Sequence, residues 1–343
     1  MPGAAPPTPA VLVVVTEVTY YLSLALPLGI AMTVGHLATP EGRGGLVSRE
    51  ARRLALPVAA FVTAAAILRW FTSVSTGPAR VQFAGFVLIV AGLVLMRRSA
   101  SRRLAAGVAA VAVIVAVLPE VPLRWPTADT MARDVLTAVH ILAALSWVGG
   151  LVSLAAVGLV WRQHRGDDRR DADAAATDWA RTWERFSVVA LVAVAALIVT
   201  GVWQAWVHVG TPGQLLTTPY GRYLAIKLVL VMALLAAGGY NTRVVLPEIR
   251  ARQRSGDTRG VLRLAAQHFP LVVSAEAALG VGVLIVVPFL HGSARSQAGW
   301  PSAGPFDLSV FGTGAVLLAL IVAAMWAGSR RPLRRSEPST LAP

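Results

Sequence analysis

The sequence predicts an all-α protein: a polytopic membrane helix bundle of about nine transmembrane helices, N-terminus outside and C-terminus cytoplasmic. Three observations predict it. Of 343 residues, 56% are hydrophobic and only 14% are charged, with mean hydropathy +0.64, too little charge to cover a soluble domain of this size. Uncharged apolar runs recur along the whole chain, each near the ~20 residues a helix needs to cross a bilayer. The basic residues alternate between connections, crowding on one side and thinning on the other.

The apolar runs are residues 10–37, 55–73, 81–96, 104–118, 135–161, 186–208, 223–246, 269–290 and 308–327. An open sheet edge has no place in lipid, so each is read as a helix. The fourth is the shortest. The start "MPGAAPPTPA" has no positive n-region, and the run after it is long for a signal-peptide core, so the first segment is expected to remain as a helix. The division is a short extracytoplasmic stretch (1–9), a four-helix N-terminal membrane part (10–118), a four-helix core (134–290), a ninth helix (306–327) and a basic cytoplasmic tail (328–343).

Orientation follows from the arginines. "EGRGGLVSREARR", "RRSASRR", the stretch 162–185, the stretch 242–263 and "RRPLRR" together carry twenty-four basic residues, against five on the opposite side. The crowded side is the cytoplasmic one, and the membrane is a bacterial plasma membrane. The loop 162–185 balances six arginines with six acids and reads as a solvated charged hairpin ending in an interfacial turn, "DWARTWERF". The tryptophans read mostly as interfacial anchors.

Net charge is +14, yet the basic residues form neither a patch nor a stripe. The expected partners are therefore membrane lipids and not nucleic acid. Cysteine is absent, which excludes disulfides, thiolate metal sites and thiol catalysis. No phosphate loop or nucleophile–base pair is visible, so no enzyme of the hydrolase or transferase class is expected.

Five ionisable residues lie inside the apolar runs, where each costs a few kcal/mol on insertion scales: Glu17, Arg69, His140, Lys227 and Glu276. At about 1.5 Å per residue, the first four fall about 8–10 Å below the outer surface, and Glu276 lies past the midplane. His208 and His291 stand at outer helix ends above that layer. Arg69 and Lys227 can alternatively snorkel to headgroups, and His208 and His291 can be ordinary interfacial residues. Gly149, Gly150, Gly280 and Gly282 read as close helix packing.

The stretches "HILAALSWVGGL", "RFSVVALVAVAALIVTGVWQAW", "LLTTPYGRYLAIKLVLVMALLAAGGYNTRVVLP" and "SAEAALGVGVLIVVPFL" resemble the CopD-type copper resistance membrane proteins over about residues 134–290. Trp147 beside His140, Tyr220, Gly221, Arg222, Lys227, Asn241 and Glu276 occupy the positions that carry the resemblance. It implies copper transport or copper tolerance, often beside a periplasmic copper-binding protein. The candidate metal ligands are His140, His208 and His291, since imidazole suits copper, and Met131 is the one outer methionine. A second reading is haem or porphyrin binding: "H…W-x-G-G/A-L" and the lysine-bearing helix are similar to the four-helix membrane protoporphyrinogen oxidases. There His140 would be an axial ligand, with Lys227 and Arg222 or Arg69 pairing with propionates. An assembly subunit without transport of its own is a third.

Overall fold

The structure, a computed structural model, describes residues 8–38, 45–72, 77–119, 127–163, 169–240, 243–244, 247–248, 251, 255 and 269–329. These residues form nine long helices and no strand: α1 (Val11–Met32), α2 (Leu46–Thr72), α3 (Gly77–Arg98), α4 (Arg102–Val117), α5 (Ala128–Gln163), α6 (Arg169–His208), α7 (Pro219–Tyr240), α8 (Phe269–Val286) and α9 (Leu308–Ser329). Among the described residues, seven helices are long and apolar enough to span a membrane. The remaining two are α4, with 16 residues, and the shorter apolar run Leu308–Ala323 of α9.

α1 is the hub of the first half. It packs against α2, α4 and α5, and its residues from Ser23 to Ala31 are almost all buried. Its crossing with α5 is made by small residues. A Cβ on Gly29 would overlap the Gly149 carbonyl, and one on Gly149 would overlap the Ala25 carbonyl. Close backbone approach of this kind is the main source of helix adhesion in lipid, where apolar side chains gain nothing by leaving the hydrocarbon. α5 continues the core, with Gly150 under the ring of Phe186 on α6 and Val148 against Gly280 on α8. α7 packs on α8, where Leu230 meets Gly282, and α9 lies on α6 with Gly314 against Val199.

At the arginine-rich end, side chains close the helix termini. α1 ends in a π-turn, Thr33–Leu37, whose free carbonyls are covered by Arg185: its Nη1 donates to the carbonyls of His36, Leu37 and Ala38 at 3.4, 3.0 and 3.5 Å. Arg52 donates to the carbonyls of Met96 and Arg97 at the end of α3, both at 3.0 Å. The Asp178 carboxylate accepts from the Val47 amide at the start of α2, at 2.8 Å, where a helix N-terminus favours negative charge. At the far side of the chain, Asp307 caps α9 by accepting from Ser309; these hydrogen bonds hold its carboxyl below the usual carboxylate range.

The expected charged hairpin at 162–185 is therefore corrected. From Arg169 the chain is already α6, and Asp178, Trp179, Thr182 and Trp183 are buried. α6 overshoots its apolar run because its polar N-terminal part docks on the start of α2 and the end of α1. Four of the ten tryptophans are corrected with it: Trp147, Trp179, Trp183 and Trp203 are core residues.

Candidate functional site

The register of the helices can be read from their contacts. α1 and α5 run in the same direction, with Ala25 level with Gly149. Glu17 lies eight residues before that crossing and His140 nine, so both stand about 12–14 Å above it. α8 runs the other way, with Gly280 level with Val148, which brings the short 3₁₀ turn Val287–Phe289 to the height of His140. On α7, the contacts Leu230–Gly282 and Tyr223–Phe289 place Lys227 a few residues below that turn. Glu17, His140 and Lys227 thus share one layer near the arginine-poor end.

They do not share one direction. Nine residues are about two and a half helical turns, so His140 leaves α5 on the side opposite Gly149 and α1. It points to α6, where its Nδ1 lies 2.9 Å from Thr200 Oγ1. The Thr200 hydroxyl donates to the Ala196 carbonyl at 2.6 Å, and the ring lies near Gly201, with His140 Cε1 at 3.8 Å, an ordinary contact distance, from where a Cβ would stand. Lys227 sits on the packed stripe of α7 with Tyr220, Tyr223, Leu230 and Leu234, in the layer that holds His140. Glu17 instead meets His291, with 3.6 Å between Oε1 and Nε2. His291 is carried there by a turn at Gly292, whose φ of +78° suits glycine.

Above His140 the α5–α6 seam stays polar. Gln204, one turn beyond Thr200, donates to Thr137 Oγ1 at 3.2 Å. One further turn on, His208 donates from Nδ1 to the Gln204 carbonyl at 2.8 Å and stacks on Tyr220, ring centroids 5.7 Å apart and planes 9° apart. The polar side chains repeat at i, i+4 and i+8 on α6, one face of a helix. They run from the bundle end down to Thr200, below which Ala193 and Ala196 close the seam. This stripe was legible in principle as the spacing Thr200, Gln204, His208, but neutral polar residues stand out less from an apolar run than charged ones.

The "TPYGR" block builds the rim. Thr218 Oγ1 accepts from the Gly221 amide at 3.0 Å and donates to the Gln214 carbonyl at 2.7 Å, capping α7 ahead of Pro219. Gly221 is required by packing, because a Cβ there would overlap the backbone of Gln214 and Leu215. Gln297 accepts from the Tyr220 amide at 3.0 Å, and Arg295 donates to the Trp206 carbonyl at 3.1 Å. Arg222 is exposed.

The remaining candidates separate. Arg69 does not snorkel: its guanidinium lies 4.0 Å above the Tyr20 ring, and its Nε is 3.5 Å from Gln82 Oε1. Tyr20 in turn is bonded to Gln82 and to the Val115 carbonyl, both at 3.3 Å, so this cluster belongs to the N-terminal half. Glu276 is buried four residues from Gly280, about 18 Å below His140 along α5. Trp147 is buried. Asn241 lies outside the described residues. His140, His208 and His291 therefore do not converge on one point. Each has its own partner, and among the described residues no group of three or more His, Asp or Glu side chains is arranged to hold a metal ion.

Residues 180–290 match the family described as copper resistance protein D. Inner membrane protein YebZ of Escherichia coli (strain K12) is 30% identical over 155 residues, 45% of this chain and 46% of that protein. The chain thus covers about half the length of that curated relative. No solved structure matches it. Residues 180–290, which carry Thr200, His208, the Tyr220–Gly221 turn, Lys227 and Glu276, are thus the part of this multi-pass membrane chain that is similar to the copper resistance protein D family.

Proposed function

We propose that the chain moves copper at the inner membrane, as transport or tolerance, and takes the ion at its arginine-poor, outward-facing end. The observation that carries this reading is the polar seam from His208 to His140. It offers two imidazoles about 12 Å apart along α6, joined by Gln204 and Thr137, within and beside a region that matches a copper resistance family. The histidines act as successive stops and not as one three-ligand site. His208 receives copper at the rim, with His291 beside Glu17 as a neighbouring stop, and His140 holds the ion at the floor. A periplasmic copper-binding protein is the proposed donor. The test is copper content of the purified protein together with copper sensitivity of a deletion strain. His140→Ala and His208→Ala are expected to lower bound copper several-fold, whereas equal content in all three proteins rejects the seam as the route.

One observation favours a second reading. Lys227 stands in the layer of His140, and a cation there opposes a bare metal ion. A porphyrin with anionic propionates would turn that charge to advantage: Lys227 and Arg222 would pair with the propionates, and His140 would offer a ring nitrogen to the iron. Haem when bound supplies one-electron chemistry. A Soret band that disappears in His140→Ala would replace the copper reading with this one.

A further inference from the structure

We infer that Thr200 is a positioning residue that fixes which nitrogen of His140 is offered to a ligand. The inference deepens the proposed copper route and rests on it only for the identity of the ion. A threonine hydroxyl has one hydrogen to give. Thr200 gives it to the Ala196 carbonyl, 2.6 Å away and four residues earlier on the same helix. At 2.9 Å from His140 Nδ1, the same oxygen can then only accept. So Nδ1 must carry the proton, and the neutral ring has its lone pair on Nε2. A helix carbonyl thus sets the tautomer of a histidine on another helix, through one hydroxyl.

His208 reaches the same state by a shorter path. Its Nδ1 faces the Gln204 carbonyl at 2.8 Å, and a carbonyl can only accept. Both histidines of the seam therefore hold Nδ1–H against acceptors of α6 and leave Nε2 without a hydrogen bond among the described residues, the arrangement by which a backbone or second side chain orients a metal-binding imidazole. His291 differs: its Nε2 is the atom turned toward Glu17. The two seam histidines are alike and the third is not. This division assigns the ligand atom at both stops as Nε2 and gives Thr200 a role beyond packing.

The test is ¹⁵N NMR of the intact protein in lipid nanodiscs, with ¹⁵N-labelled histidine and His140→Gln to identify the signals. In the wild type and in Thr200→Ser, His140 is expected to show a protonated Nδ1 and an unprotonated Nε2. In Thr200→Val, nearly the same in shape but without the hydroxyl, the signals should move toward the other tautomer or a mixture. Copper affinity should fall about 10-fold or more in Thr200→Val and recover in Thr200→Ser. A protonated Nε2 in the wild type, or identical spectra for the wild type and Thr200→Val, overturns the inference. The expected spectra with no copper bound by any variant uphold Thr200 as the positioning residue and reject the copper reading alone.

Discussion

Glu17 on α1 and His291 just beyond α8 meet with 3.6 Å between carboxylate and imidazole. The contact ties the first helix of the N-terminal half to the turn that follows α8, just past the stretch that matches the copper resistance protein D family. It is a weak fastener, since the His291 side chain is 57% exposed and exposed pairs are worth about 0–1 kcal/mol. Its value is positional. The chain has no cysteine, so the double variant Glu17→Cys, His291→Cys carries the sole thiols. Rapid bridging by a short bifunctional thiol reagent, seen on gels, is expected. Failure to bridge would separate the two halves at this end.

Removing the charge beside His140 discriminates between the two ligand readings. Lys227→Met should raise copper affinity, by about 10-fold, if the floor holds a bare cation, because a like charge in the same layer is taken away. In the porphyrin reading the same change should lower pigment content. Titration with copper and absorbance of the purified protein give opposite signs for the two cases.

Gly149→Ala should be among the most damaging single-methyl changes in the molecule. The added Cβ would overlap the Ala25 carbonyl, so α1 and α5 must move apart, at a cost of about 1–3 kcal/mol or more. Gly107→Ala on α4 meets nothing within 4 Å and should be neutral or stabilising by about 0.5–1 kcal/mol. Unfolding in mixed detergent micelles compares the pair directly.

Gly221→Ala should loosen the rim without unfolding the bundle. The turn Gln214–Thr217 sits where the new Cβ would go, and its displacement should break the stacking of His208 on Tyr220. Faster proteolysis within residues 209–218, with unchanged helix content by circular dichroism, is the expected result.

Arg185 caps three carbonyls at the end of α1 from an exposed position. Arg185→Gln should cost about 1 kcal/mol, the usual value of a charge-assisted hydrogen bond discounted for solvent. Arg185→Lys should restore only part, because the shorter lysine chain ends its ammonium short of the Nη1 position from which all three contacts are made.

The helices and their apolar segments follow from the sequence because lipid leaves the backbone no other way to satisfy itself. That Glu17, His140 and Lys227 share one layer follows as well, because rise per residue is fixed and chain order supplies the counting. The loop 162–185 is where this failed: its charges looked solvated, yet Asp178 and two tryptophans are spent on docking α6 to α1 and α2. Direction was the other unreadable quantity. Whether His140 faces Glu17 or Thr200 depends on how α5 is rotated, and that rotation is set by Gly149 meeting the Ala25 carbonyl. Hydropathy records how far a residue lies from water. It does not record which neighbour a helix turns toward, because that is decided by the fit of small residues between two backbones.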